Sequence, residues 1–228
     1  TSNGMMNWHD VLRRAHHLFA QGQVDEAERV LNQLAPDARD EAGALVLSAL
    51  IAKQRGALSD AERKLVRAQA RDPNNPEIIN ILGSVYVGMG QLDAGLKCFE
   101  KALTLNPGFA DAHINRSLAA KDAESLDAAL AYAEAGLSAI PAHPRLLAIK
   151  AMLLKEAGQT KAALAQFEVA VTHDPDRAIT RHNYAATLRA AGRYEDACQQ
   201  YRRAVELGLR TPDVAANWAA ASLEAGRI

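Results

Sequence analysis

Apolar residues recur three and four positions apart through most of the chain, in stretches that Gly, Asn or Pro interrupt. In the segment 76–109, for example, Leu82 is followed four positions later by Tyr86, and Phe99 three positions later by Ala102. This spacing puts the apolar side chains on one side of a helix, so the segment predicts two amphipathic helices of about 12 to 15 residues. Helices of that length are marginal in water by themselves, because nucleation is costly. We therefore predict an all-α fold in which neighbouring helices cover one another.

Residues at the ends of these two helices fit their predicted boundaries. Asn75 can cap the first helix, and Pro76 suits its first turn, where no N–H donor is needed. Gly90 ends that helix, because glycine adopts the left-handed backbone conformation without steric cost. We predict that Asp93 caps the second helix, which should stop before Asn106. The capping place of Asp93 is occupied in other segments by Asp25, Ser59, Asp127 and Glu195.

Three residue types return at intervals of 34 positions without an insertion. The glycine series comprises Gly22, Gly56, Gly90, Gly158, Gly192 and Gly226, with Glu124 at the missing step. The alanine series comprises Ala27, Ala61, Ala129, Ala163 and Ala197, with Gly95 at the third step. The proline series comprises Pro73, Pro107, Pro141 and Pro175. A fixed period of this length indicates an array of two-helix units, each stabilised by its neighbours.

The unit 76–109 resembles the tetratricopeptide repeat in its signature residues Leu82, Gly83, Tyr86, Phe99, Ala102 and Pro107. Gly95 stands where that family usually has alanine. The resemblance implies a right-handed α-solenoid of helix-turn-helix hairpins, with a concave groove lined by the first helix (helix A) of each repeat. It divides a single array, 8–228, into six full repeats and one further helix: 8–41, 42–75, 76–109, 110–143, 144–177, 178–211 and the partial repeat 212–228. Thr1–Gly4 resembles an expression remnant, and 1–7 is expected to be a disordered leader.

Two repeats depart from the pattern. In 8–41, Pro36 arrives early, which predicts a short second helix (helix B) and a longer link to the next repeat. In 110–143, Glu124 replaces the turn glycine, and the small residues Ala133 and Gly136 stand where Phe99 and Ala102 stand one repeat earlier. We expect looser packing in this repeat.

Composition and charge argue against several classes of function. The net charge of −1 and the pI near 6.6 give no overall attraction to nucleic acid or to an acidic membrane. No apolar stretch reaches the length of a membrane span, and the first thirty residues contain no secretory signal, so we expect a cytoplasmic protein. The glycines of 81–90 follow no strand and precede no lysine-serine pair, which excludes a phosphate-binding loop.

Candidate chemistry is equally sparse. His9 and His16 lie seven positions apart without a third metal ligand in view, and Cys98 and Cys198 match no metal or redox spacing. No serine lies in a nucleophile-elbow pattern. The sequence therefore predicts no catalytic residue, no metal site and no cofactor.

The resemblance implies that ligand contacts come from helix A, at repeat positions 2, 5, 6, 9, 12 and 13. The polar candidates at these positions are Asn80, Asn115, Lys121, Lys155, His182, Asn183, Arg189 and Asn217. The apolar candidates, in the earlier repeats, are Leu47, Leu50 and Ile81. Amides can donate to and accept from a peptide backbone, and the cations at position 12 would attract acidic side chains or a terminal carboxylate. The carboxylate clamp of this family is not matched, because position 5 carries no lysine and position 9 no asparagine.

These features favour a non-catalytic scaffold that holds an extended peptide or partner helix, acidic in part, in the groove. An alternative is that the chain is the N-terminal, substrate-recruiting region of a larger enzyme of the glycosyltransferase, sulfotransferase or hydroxylase type, cut after Ile228. A third hypothesis is self-association through the last helix, where Trp218 and the alanines around it resemble a helix that requires a partner. Nucleic acid and membrane are not expected partners.

Overall fold

The computed structural model describes residues 7–226, and the chain divides into two compact units, Thr1–Pro107 and Gly108–Ile228. The N-terminal unit contains α1 (Trp8–Ala20), α2 (Val24–Leu31), α3 (Pro36–Arg39), α4 (Ala42–Gln54), α5 (Leu58–Arg71), α6 (Pro76–Gly88) and α7 (Leu92–Leu105). The C-terminal unit contains α8 (Ala110–Ala123), α9 (Leu126–Ala139), α10 (Pro144–Glu156), α11 (Thr160–His173), α12 (Ala178–Ala190), α13 (Tyr194–Glu206) and α14 (Pro212–Glu224).

Each full repeat forms a hairpin of helix A and helix B, which confirms the predicted all-α, helix-turn-helix architecture. The A helices are α1, α4, α6, α8, α10, α12 and α14. The leader predicted for 1–7 lies outside the described residues except for Asn7, whose side chain caps α1 by accepting a hydrogen bond from the His9 amide at 3.3 Å. A single continuous array over 8–228 stays a prediction.

The predicted ends of α6 are confirmed. Asn75 Oδ1 accepts hydrogen bonds from the backbone N–H groups of Glu77 at 3.0 Å and Ile78 at 3.4 Å. Gly90 follows the helix with a φ of +78°, a conformation that glycine adopts far more readily than other residues. The backbone N–H of Gln91 then donates to the Tyr86 carbonyl at 2.8 Å, which closes the helix end.

The predicted caps of the B helices are wrong. Asp93, with Asp25, Ser59, Asp127 and Glu195, lies inside the first turn of its helix, because each B helix begins earlier than the sequence suggested. The residue before α7 is Gln91, whose side chain forms no capping bond. Because the turn after α6 is so short, α7 starts immediately, and Asp93 contributes through its charge near the helix N-terminus. In α9 the cap is Ser125, whose Oγ accepts from the Ala128 amide at 3.0 Å.

The B helices contribute the largest core side chains, all at one repeat position. Phe99, Phe167 and Tyr201 are at most 1% exposed. In the C-terminal unit the Phe167 ring stacks on the Tyr184 ring with centroids 5.8 Å apart, within a core built from α10 to α14. Within each unit the core therefore lies between the A and B helices of a repeat and extends to the A helix of the next repeat.

Gly95 departs from the family pattern because α6 and α7 approach each other closely at this point. A Cβ atom at Gly95 would lie 2.5 Å from Val87 Cγ2 and 3.0 Å from the Gly83 carbonyl oxygen. Alanine, usual in the family, would collide with the Val87 methyl group and crowd the Gly83 carbonyl oxygen. The glycine therefore fits the local distance between the two helices.

The irregular first repeat is confirmed. Helix α2 has 8 residues, against 14 for α5 and α7, and the link that follows contains the short helix α3. The Asp40 carboxylate beyond α3 accepts hydrogen bonds from Arg67 and Arg71 of α5. These bonds, that of Arg71 first, hold the pKa of Asp40 below its usual value. These contacts hold the link between the first two repeats against α5 of the second repeat.

One position in the repeat 110–143, Gly136, is closely packed. At Gly136 of α9, a Cβ atom would lie 3.0 Å from His113 Cβ and 3.1 Å from Leu146 Cδ2. The packing at Gly136 itself is therefore close, because the small residue lets the flanking helices approach. Looser packing of the repeat as a whole stays a prediction. Glu124, at the turn, has a negative φ of −123° and accepts a hydrogen bond from the Tyr132 hydroxyl at 3.2 Å.

Candidate functional site

Consecutive A helices contact one another in the C-terminal unit: α8 meets α10, α10 meets α12, and α12 meets α14. The predicted ligand positions therefore form one continuous surface, which we call the A-helix face. Its members are Asn115, Leu118 and Lys121 of α8, Ile149, Met152 and Lys155 of α10, Ile179, His182, Asn183 and Arg189 of α12, and Asn217 and Leu223 of α14. One direct link across this surface is a bond from the Asn183 amide nitrogen to Met152 Sδ at 3.5 Å.

Two of the three predicted cations are already paired within the chain. Lys121 Nζ lies 3.2 Å from a carboxylate oxygen of Glu156. Arg189 donates two hydrogen bonds to Glu224, at 2.6 and 2.9 Å, and this contact lowers the pKa of Glu224. In both pairs the glutamate lies 35 residues after the cation, at position 13 of the next A helix.

Lys155 has no such partner. The residue 35 positions after it is Ala190, and Lys155 forms no ion pair with any residue from 7 to 226. The Lys155 side chain is exposed. Its charge reaches His182 on the neighbouring helix: burial lowers the pKa of His182, Lys155 lowers it further, and Asp213 acts in the opposite direction.

The predicted amide residues are half-buried on this face. Asn217 lines a cavity of about 250 Å³ together with Arg189, Tyr194, Tyr201 and Glu224. The Tyr201 hydroxyl is buried and has no hydrogen-bond partner among the described residues, nor has Nδ1 of His182, whose ring centroid is 5.6 Å from that of Tyr201.

The apolar candidates of the N-terminal unit are largely covered. Leu47 has no exposed surface and belongs to a core cluster, so its predicted contact with a ligand is wrong. Asn80 is 7% exposed, and Leu50 and Ile81 are half-buried. On the same helices, Lys53 Nζ donates to Ser84 Oγ at 2.7 Å, and burial lowers the pKa of Lys53. The contacts proposed for this unit stay a prediction.

Sequence reasoning missed the exposed apolar residues of the C-terminal unit. Leu118 is 39% exposed, Ile179 45% and Leu223 61%. These are the large apolar side chains that the described A helices expose, and all three occupy predicted ligand positions, namely 9, 2 and 12. Their repeat positions, once the period was known, would have identified them.

Within the described part of the chain, other residues pack against only part of the surface of the last helix, α14. Trp218 is half-buried and packs against the core of the C-terminal unit, whereas Ala215, Ala216 and Ala219 are exposed. Residues 227 and 228 lie outside the described part. Self-association through 212–228 stays a prediction.

No three potential metal-ligating side chains come together anywhere in 7–226. Over the same residues, each helix falls short of the length or apolar content that crossing a bilayer requires.

Comparison with known families agrees with the geometry. Residues 12–76, 82–144 and 150–208 match the family model for the tetratricopeptide repeat. This chain belongs to the tetratricopeptide-repeat family. The tetratricopeptide-repeat fold is typical of scaffolds for protein–protein interaction.

Solved tetratricopeptide-repeat structures resemble the chain over most of its length. TTC0263, a thermophilic protein of Thermus thermophilus, is 24% identical over 80% of this chain and 99% of its own, with a TM-score of 0.71. PilW, a type IV pilus biogenesis factor, is 18% identical over 92% and 97%, with a TM-score of 0.72. The pilF protein of Pseudomonas aeruginosa is 15% identical over 95% and 97%, with a TM-score of 0.69. At these identities the similarity establishes the shared tetratricopeptide-repeat fold.

Proposed function

We propose that this chain is a binding module whose A-helix face holds an extended peptide or a partner helix of another protein. The observation that carries the proposal is the position of Leu118, Ile179 and Leu223, the exposed large apolar side chains of the described A helices. Such side chains, at ligand positions of successive A helices, offer anchor points for apolar groups of a partner.

The polar groups between these anchors suit a protein ligand. Asn115, Asn183 and Asn217 carry amides, which have both donor and acceptor atoms for the backbone of an extended chain whatever its sequence. The paired charges of Arg189 and Glu224 leave their part of the face neutral. The combination supports a ligand with apolar anchors and an accessible backbone, rather than a strongly charged polymer.

Replacing Leu118 by aspartate should weaken ligand binding by about tenfold, because an anchor contact is lost and a charge is placed where apolar groups dock. Peptides that bind the whole chain are first selected from a random displayed library. The Kd values of these peptides are then compared between the variants. The matched control is Val169→Asp: Val169 is 41% exposed, as Leu118 is 39% exposed, but lies on a B helix. We expect less than a twofold effect there. Equal losses in both variants, or none at Leu118, would contradict the proposal.

A further inference from the structure

The cations at position 12 of the C-terminal unit share one register with their partners. Lys121 meets Glu156 at 3.2 Å, and Arg189 meets Glu224 at 2.6 Å. Each cation is thus neutralised by a carboxylate at position 13 of the following A helix. In the middle of this row the same arrangement is interrupted, because Ala190 takes the place of the glutamate after Lys155.

We infer that Lys155 pairs with an acidic side chain of the bound protein. That side chain lies above Ala190 and takes the place of the glutamate that pairs with Lys121 or Arg189 in the neighbouring repeats. This inference rests on the proposed function, because it places one ligand group on the same A-helix face. It commits the occupant to a segment with an aspartate or glutamate at this point and apolar residues around it.

The surroundings of Lys155 favour a carboxylate over other groups. Lys155 and Ala190 are both exposed, so the space above the alanine methyl is open to a ligand. A carboxylate placed there would meet the ammonium group much as Glu156 meets Lys121. Asp213, the acid that acts on nearby His182, forms no ion pair with Lys155 among the described residues. The charge of Lys155 is therefore available.

Lys155 alone would then account for a preference for acidic ligands. Removing the charge of Lys121 breaks an existing internal pair, whereas removing that of Lys155 breaks none. A ligand that recognised the whole cationic row would have to displace Glu156 and Glu224. A single acid on the ligand needs no displacement, so it adds attraction at no internal cost. An exposed pair of this kind contributes modestly, up to about 1 kcal/mol, which is about fivefold in Kd.

The test supplies the missing glutamate within the chain. In Ala190→Glu, the new carboxylate should pair with Lys155 and compete with the ligand's acid, whereas Ala190→Gln adds a similar side chain without charge. The probes are the library-selected peptides, each synthesised with its acidic residue and with the matching amide. In the unmodified chain and in Ala190→Gln we expect the acidic form to bind about fivefold more tightly at low salt. In Ala190→Glu and in Lys155→Gln that preference should disappear, while Lys121→Gln should retain it.

A ligand-free measurement checks the register separately. Since Lys155 lowers the pKa of His182 and Asp213 raises it, a carboxylate at position 190 should raise the His182 pKa above its value in Ala190→Gln. The ring resonances of His182, followed by NMR against pH, report this change. An unchanged His182 pKa would mean that the new carboxylate leaves the charge of Lys155 in place, contrary to the shared register on which the inference depends.

The outcomes separate the two proposals. Peptides that depend on Leu118 but show no preference for the acidic form, or keep it in Ala190→Glu, would refute the role of Lys155 and leave the binding face intact. Peptides that do not depend on Leu118 would refute the binding face, and the assignment of Lys155 would fail with it.

Discussion

Phe167→Ala is expected to lower the free energy of unfolding by about 4 kcal/mol, within the range for deleting a buried aromatic side chain. The Phe167 side chain is completely buried, and its ring stacks on Tyr184 at 5.8 Å. The substitution removes that contact and leaves a cavity between α10, α11 and α12, whose helices are too short to be stable alone. Because typical proteins have a margin of about 5 to 15 kcal/mol, the loss is a large part of the total.

Urea unfolding of the chain followed by circular dichroism measures the effect. The control is Val169→Ala on the same helix, which removes an exposed side chain and should change the free energy of unfolding by less than about 0.5 kcal/mol. If Phe167→Ala were no more destabilising than Val169→Ala, the ring would not be part of the core that the structure shows.

Gly83→Ala should destabilise the chain by about 2 kcal/mol, although alanine is the better helix former by about 1 kcal/mol. The added Cβ would lie 2.7 Å from Cε1 of Phe99 and 2.9 Å from the Cys98 Cβ atom. Phe99 is 1% exposed, so its ring can move aside only by displacing the core side chains around it. Overpacking therefore outweighs the gain in helix propensity.

The matched control is Gly88→Ala, in the same helix α6. Its Cβ would meet Cδ1 of Leu58 at 3.2 Å, the end of a side chain that can rotate away, so this variant should be as stable as the original or slightly more stable. A thermal or urea transition for Gly83→Ala that matched that of Gly88→Ala would contradict the close approach of α6 and α7. Shortening the obstructing ring, in Gly83→Ala/Phe99→Leu, should recover part of the loss.

Local rules were sufficient for most helices and turns. The cap at Asn75 and the left-handed Gly90 depend only on the residues at the boundary, so the sequence identified both. Asp93 was misplaced because the hydrogen bond from Gln91 to Tyr86 shortens the turn, and that bond joins backbone atoms that every sequence has. The bounds of the B helices therefore needed the structure.

The repeat positions of the candidate residues could be predicted from the sequence, but the charge environment of each could not. The family positions located Lys121, Lys155 and Arg189 on one face, but their different environments arise from the adjacent helix. A glutamate 35 residues away is visible in the sequence only after the period of 34 suggests which helices are neighbours. Leu47 was assigned to the face from its position alone, and its burial reflects contacts with the irregular first repeat.

The ion pairs between successive repeats depend on the order of those repeats. Arg145 meets Asp111 at 2.6 Å, and Glu156 meets Lys121, so two pairs join the repeat 144–177 to the one before it. If that repeat were deleted in frame, Ile179 and Ala190 would follow in the places of Arg145 and Glu156. The period of 34 residues would be kept, but Asp111 and Lys121 would lose their ion-pair partners. Repeats so alike in shape are therefore not interchangeable, and duplication or loss of one of them would alter the surface its neighbours present.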